Sequence, residues 1–420
     1  MNRNHNILLG TLLGLILPFS ITAAEEEGAT DLASAITSGK ATVALRYRYE
    51  QVDQDSATLD DETANASTLR LRLNYGTSQW NGWSAFAEYD HVFHVLLDDF
   101  DSGAGTSPSH EGEYPVVADP SGSDLNQLYF DYSPNADWKL RVGRQRILLD
   151  NQRFVGGVGW RQNEQTYDAF TLNTKAIAKT ALSYSYLNQV RRIFGQTTPA
   201  GKAALDGHLL NAKISVSDGF TVTPYYYLLD YKDAANFVNS TGTFGIRLAG
   251  SIKAGEGKVT LLGEFASQSD AGDNPNSYDA DYAHVSALWA LENGLSIGLA
   301  FESLGADSSA ATAFRTPLAT GHAFNGWADK FLGTPAAGLE DAYVTVKYKA
   351  GKWNLTGVYH DFSSEFGSSD YGKEFDIAAG RKLGERYGVL FKGAFFSADS
   401  SSPIPATDTD KFWIMLTASY

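Results

Sequence analysis

Apolar and polar residues alternate along most of this chain. In "TVALRYRYE", Val43, Leu45, Tyr47 and Tyr49 fall on one parity, and Arg46, Arg48 and Glu50 on the other. "TLRLRLNY" repeats the device, with Leu69, Leu71, Leu73 and Tyr75 against Arg70, Arg72 and Asn74. A period of two marks a strand whose two faces meet different surroundings. The alternation returns in "GHLLNAKISV", "TFGIRLAGSI", "KVTLLGEFAS", "AYVTVKYK" and the terminal "KFWIMLTASY". It predicts about 18 strands, most near the roughly ten residues a tilted strand needs to cross a bilayer.

The connections between strands fall into two kinds. Every second one is short and turn-like, such as "SPNAD", "SDG", "KAGEG", "ENG" and "KAGK". The others are long and polar, above all residues 96–124, 147–165, 190–206 and 305–338. Long loops gathered at one end and tight turns at the other describe an up-and-down meander. A sandwich with Greek-key crossings would not sort its loops this way. The expected fold is all-β: a closed antiparallel up-and-down transmembrane β-barrel, with long extracellular loops and short periplasmic turns.

Two further features fit that expectation. The apolar stripe Phe412, Ile414, Leu416, Ala418 and Tyr420 runs to the final residue. A last strand has to zip against the first, because an open edge in lipid leaves backbone groups unpaired. Aromatic residues gather near strand ends, among them Tyr47, Tyr75, Trp138, Tyr225 to Tyr227, Trp353 and Tyr387. These are expected to form a girdle at the headgroup level.

Residues 1–24 read as a secretory signal peptide. Arg3 supplies a basic start, "ILLGTLLGLILPF" is an apolar run too short to span a bilayer, and "ITAA" offers small residues for cleavage. Residues 25–420 are then one barrel domain, placed in the outer membrane of a Gram-negative bacterium. The chain has no cysteine, which excludes disulfides and thiolate metal sites. Its formal net charge of −16 argues against nucleic acid as a partner.

If apolar side chains face lipid, the opposite parity lines a lumen, and the chemistry lies there. Arg46, Arg48, Arg70, Arg72, Lys139, Arg141, Lys213, Arg247, Lys347 and Lys392 take the inward parity. So do Glu50, Glu88, Asp90, Asp131, Glu264, Glu302 and Asp376. A lumen charged with both signs is not a dry core. If Glu50 pairs with Thr68, Arg48 faces Arg70 and Arg46 faces Arg72. Like charges directly opposite destabilise a strand pair. Either acids such as Glu88 offset them in a wall-stiffening ladder, or an anionic solute does, as in anion-conducting pores.

No catalytic residue, cofactor or metal is expected. There is no G-x-S-x-G elbow, and His91, His94 and His110 match no metal spacing. The acidic stretches "LLDDFDSG", "DQDSATLDDE" and "DAGDNPNSYDAD" lack the spacing of a calcium loop and read as a solvated outer face near lipopolysaccharide.

Two long stretches carry a more specific signal. "VGRQRILLDNQRFVGGVGWRQNEQTYDAF" and "FRTPLATGHAFNGWADKFLGTPAAGLEDAYVTVKY" resemble the alginate export family of bacterial outer-membrane proteins. The resemblance implies an 18-stranded barrel whose arginine-rich lumen conducts a polyanionic uronate polysaccharide, with loops that help gate it. It makes Arg144, Arg146, Arg161, Arg315 and Lys330 candidate lumen or gate cations. The aromatic-ended last strand likewise resembles the signal recognised by the barrel assembly machinery. The resulting expectation is a passive porin for anionic solutes, acidic saccharides included. A structural or adhesive barrel blocked by its loops, and a barrel hydrolase, are the rival readings.

Overall fold

The computed structural model describes residues 28–106, 108–404 and 407–420, so the expected signal peptide lies outside the described residues. A short helix α1 (Leu32–Thr37), capped by Asp31 and Ser34, precedes the first strand. The meander opens with β1 (Lys40–Gln54), β2 (Thr63–Gly76), β3 (Trp83–Asp99) and β4 (Gly122–Asn135). It continues through β5 (Trp138–Gln145), β6 (Thr166–Thr174), β7 (Thr180–Arg191), β8 (Lys202–Ser217) and β9 (Phe220–Tyr231). Then come β10 (Thr241–Ala254), β11 (Gly257–Asp270), β12 (Asp279–Leu291) and β13 (Leu295–Leu304). One long loop holds a two-residue ladder, β14 (Ala306–Asp307) with β15 (Thr312–Ala313). Finally, β16 (Leu339–Ala350), β17 (Trp353–Ser363), β18 (Asp370–Leu383), β19 (Tyr387–Ala398) and β20 (Thr409–Ser419) return to the start.

All strands but β14 and β15 belong to one 18-stranded antiparallel sheet, and β1 pairs with both β2 and β20. The sheet is therefore a closed barrel. At its seam Val43 N–H donates to the Tyr420 carbonyl at 3.0 Å and Tyr420 N–H returns a bond to Val43 at 2.9 Å. Among the described residues, the barrel sheet leaves no open edge for lipid to meet.

Burial is inverted relative to a water-soluble protein. On β10, Phe244 is 61% exposed and Ile246 and Leu248 nearly half exposed, while Arg247 is only 7% exposed. Apolar side chains outside and charged ones inside are stable only when the outer solvent is hydrocarbon. Rings flank this band near the short turns: Trp353 stacks under Arg381, and Tyr387 shares a hydroxyl bond of 2.8 Å with Tyr420. The expected girdle does not include all of the tyrosine triplet, however. Tyr226 faces out, but Tyr225 and Tyr227 are buried inside, packed on Phe154, because neighbours on a strand point to opposite faces.

The first hairpin differs in register from the expected pairing. Arg46 faces Arg70, Arg48 faces Thr68, Arg72 faces Ala44, and Glu50 faces Ala66. The hairpin closes with Asp53 opposite Thr63, and Gln54 N–H bonds the Glu62 carbonyl at 2.9 Å. This slips the ladder by two residues, and an even slip keeps every side chain on its predicted face. One arginine pair remains face to face instead of two.

Candidate functional site: a loop plug above a lysine vestibule

Two long loops fold back into the barrel. The first joins β5 to β6, and the arginines of the first hairpin hold it. Arg46 donates to Gln162 Oε1 at 3.0 Å and to the Gly159 carbonyl at 2.9 Å, and also reaches the Arg161 carbonyl. Arg48 donates to the Trp160 carbonyl at 2.6 Å and pairs with Asp119. Arg70 donates to the Gln162 carbonyl at 3.2 Å. Arg72 grips Asp90 through two bonds of 2.7 and 2.6 Å and Glu164 at 2.8 Å. Arg146 pairs with Glu88 at 2.5 Å and with Glu164. Arg161 turns the other way, to Glu50 at 2.9 Å and Asp329 at 3.3 Å. The repulsion between facing arginines is thus offset by loop carbonyls and carboxylates. Glu88, expected beside Arg70, serves Arg146, Asn126 and Gln127 instead. Burial pushes Glu164 up, yet Arg146, Arg72 and Arg70 hold it well below the ordinary carboxylate range.

The second loop joins β13 to β16 and locks onto the first. Gly156 N–H donates to the Leu318 carbonyl at 2.9 Å, Thr320 N–H to the Gln152 carbonyl at 3.0 Å, and Val158 N–H to Thr320 Oγ1 at 3.1 Å. His322 stacks flat on Trp160 with ring centroids 4.6 Å apart. The wall receives this loop at several points. Ala328 N–H donates to Glu374 at 2.8 Å, Lys411 pairs with Asp329 at 3.0 Å, and Asn325 bonds Glu302 at 2.6 Å. Arg153 of the first loop shares Glu302 and Asn325, at 2.8 Å each. Val158 sits at φ 48° and Asp329 at φ 63°, left-handed conformations that cost energy for residues other than glycine. The bond from Val158 N–H to Thr320, and the contacts of Asp329 with Lys411, Arg161 and His322, hold them there.

Below the plug lies open space. A cavity of about 520 Å³ is roofed by Trp160, His322, Phe324 and Trp327, and its walls carry Lys213, Arg247, Lys347 and Lys392 together with the carboxylates Asp150 and Glu302. A second cavity, of about 770 Å³, shares Tyr343, Thr345 and Lys347 with the first and extends to Lys253, Lys258 and Glu292 near the short turns. Together they form a vestibule open toward the end that carries α1. Arg247 is paired with Glu264 at 2.6 Å. Among the described residues, the side chains of Lys213, Lys253, Lys258 and Lys347 have no hydrogen-bond or ion-pair partner. Lys253 and Lys258 stand directly opposite each other across β10 and β11.

The remaining candidates scatter. Lys139 and Arg141 both pair with Asp131, at 2.9 and 2.6 Å, and Arg141 also covers the Tyr129 ring. Arg315 lies at the upper end of β11, where its backbone N–H donates to Gln268 at 2.8 Å. Lys330 donates to Thr409 at 2.9 Å, and burial lowers its pKa to about 8. Arg144 is corrected outright. Its register partners are Leu128 and Asp168, on the exposed face, and it pairs with Asp168 at 2.8 Å alongside Arg191. Gly143, at φ 124°, does not reverse the alternation there.

Reading the sequence for charge misses Gln162, Trp160, His322 and Asp329, which fasten the plug. Their signal is weak: a "GGVGW" turn and three lone polar residues. Lys253 is within reach of the pattern, because the inward series on β10 runs Arg247, Ala249, Ser251, Lys253.

Comparison with known proteins agrees with this geometry. The sequence profile described as "Alginate export" matches residues 40–294, well over half of the chain. The chain belongs to the alginate export family. No curated protein sequence matches it. Among solved structures, Pseudomonas aeruginosa OccK9 (OpdG) superposes with a TM-score of 0.72 at 13% identity, covering 92% of this chain and 99% of that one. Acinetobacter baumannii OccAB2 gives a TM-score of 0.71 at 14% identity, with coverage of 92% and 99%. Pseudomonas aeruginosa OpdK, solved with vanillate, gives 0.68 at 12% identity, again covering 92% and 99%. At such identities the likeness shows the fold. This member of the alginate export family is an outer-membrane β-barrel of the porin type.

Proposed function

We propose that this barrel is a passive channel for anionic solutes, small or polymeric, with acidic saccharides such as uronates among them. The observation that carries the reading is the lysine vestibule. Lys253 and Lys258 face each other without a counter-ion among the described residues, and Lys213 and Lys347 continue the unpaired charge upward. Like charges so placed repel, and an anion that enters between them relieves the repulsion. Of the acids beside them, Asp150 is bonded to Asn211 and Glu302 is paired with Arg153, so the unpaired charge of the wall is mostly positive and concentrates anions. The first-hairpin arginines support the plug in this reading, and the lysines meet the solute. The vanillate held by OpdK, a carboxylate, is consistent with it. In this reading the signal peptide exports the chain, the barrel assembly machinery recognises its last strand, and the barrel sits in lipid beside lipopolysaccharide.

Reversal potential in a planar bilayer under a salt gradient tests this. Wild type is expected to favour anions, and the Lys253→Gln/Lys258→Gln/Lys347→Gln triple variant to favour them much less. A cation-selective wild type overturns the reading. The seated plug favours a second reading, a barrel closed by its loops, and a membrane that stays silent after insertion would support it.

A further inference from the structure

Lys392 stands where the plug, the wall and the vestibule meet. It projects from β19, is 6% exposed, and lines the upper cavity. Its Nζ lies 2.6 Å from His322 Nε2, 3.8 Å from the centre of the Trp327 ring, 4.3 Å from Trp160 and 5.2 Å from Trp413. These partners have three origins. Trp160 belongs to the first loop, Trp327 and His322 to the second, and Trp413 to β20. One ammonium therefore fastens both loops to the wall at the same point.

The nature of the fastening matters. Arg46, Arg48, Arg72 and Arg161 hold the plug through carboxylates or several carbonyls. Among the described residues no carboxylate touches Lys392, although the buried Asp376, Asp329 and Glu374 lie near enough to attract it; its direct contacts are ring faces and one imidazole nitrogen. A cation on aromatic faces is bound less strongly than one in a hydrogen-bonded ion pair. A carboxylate arriving from the vestibule is thus a better partner for Lys392 than the partners it has.

We propose that Lys392 is the site at which an anionic solute unfastens the plug. The solute's carboxylate pairs with the ammonium and draws it from the three rings and His322, freeing the Trp160 and Trp327 edges of the two loops. The solute opens its own path because it binds the released arrangement better than the seated one. This rests on the reading of the vestibule as an anion chamber.

Single-channel recording of the full protein tests it, with galacturonate as probe and galactose as the neutral control. Galacturonate is expected to raise the open fraction of wild type by about tenfold or more, a shift well within what differential binding supplies. Galactose should leave it unchanged. Lys392→Met should be open without ligand and indifferent to galacturonate, and Lys392→Arg should restore the response. Tryptophan fluorescence of folded protein in detergent gives a second readout: galacturonate should shift the emission of wild type and not of Lys392→Met. An anion-selective wild type whose open fraction ignores galacturonate overturns the role of Lys392 and leaves the channel reading standing. A wild type without anion selectivity overturns the channel reading itself.

Discussion

Arg46 and Arg70 face each other across the first hairpin, and Gln162 answers both. Its side-chain carbonyl accepts from Arg46 and its backbone carbonyl from Arg70. The Gln162 amide also donates to Thr68 Oγ1 at 2.9 Å. Replacing Gln162 with Ala strands buried donors and acceptors, each at a cost of about 1–3 kcal/mol. The expected result is a plug that unseats while the barrel stays intact. Limited proteolysis reads this directly, since cleavage between β5 and β6 should accelerate in Gln162→Ala. Unchanged cleavage would show that Gln162 is not a pin.

Acid should loosen the plug. Burial, first of all, and the Lys392 ammonium hold His322 neutral, with its pKa down to about 3, against the opposing pull of Asp329. A released, solvated histidine titrates near 6.5. The released state therefore takes up a proton below that value while the seated state does not, and the plug loses stability as pH falls from about 6.5 toward 3. Between pH 7 and pH 5 the loss is about 2 kcal/mol, or roughly 25-fold in the seated-to-released ratio. Asp329, pushed up by burial but held well below its ordinary value by the hydrogen bond from the neutral His322 and by the Lys411 ammonium, adds a loss in the same direction at lower pH. Open fraction measured against pH should rise on acidification, and His322→Gln should flatten the rise.

Block by a polyanion should be one-sided. The unpaired lysines lie at the short-turn end, whereas Asp53 and Asp410 face each other at the long-loop end. An oligogalacturonate added on the short-turn side should block at about tenfold lower concentration than from the other side, the scale on which one-signed clefts concentrate their counter-ions. Lys253→Gln/Lys258→Gln should erase the difference. A cysteine placed in an outer loop and labelled with an impermeant reagent fixes the orientation, because the native chain has none.

The inverted faces of β10 give a stability test. Ile246 points outward and Arg247 inward. Ile246→Arg should destabilise the folded barrel by about 2–4 kcal/mol if the residue lies near the midplane. Urea titration in lipid vesicles measures it, and a neutral result would mean that this face does not meet hydrocarbon.

Much of the fold could be read from the sequence because a barrel writes its two solvents into alternate positions. Arg46, Arg48, Arg70 and Arg72 are buried on the parity that the pattern assigned them. The register of their hairpin could not be read this way, since a slip of two leaves the pattern unchanged. What the arginines touch was hidden for a different reason. Their partners Gln162, Gly159 and Trp160 lie far along the chain, in a loop with no period to fix its course. Arg144 failed because the family resemblance placed it in the lumen while the strand pattern around Gly143 did not decide its direction; in the ladder it stands between Leu128 and Asp168 on the outer face.

The bond between Val43 and Tyr420 joins the two ends of the described barrel. A growing wall cannot seal until its last stave arrives, and until then both rims of the unfinished sheet remain adhesive. Two half-built copies would find each other's rims as readily as their own. Assembly of this protein is therefore a contest between ring closure and mutual capture, decided by how long each copy is kept alone.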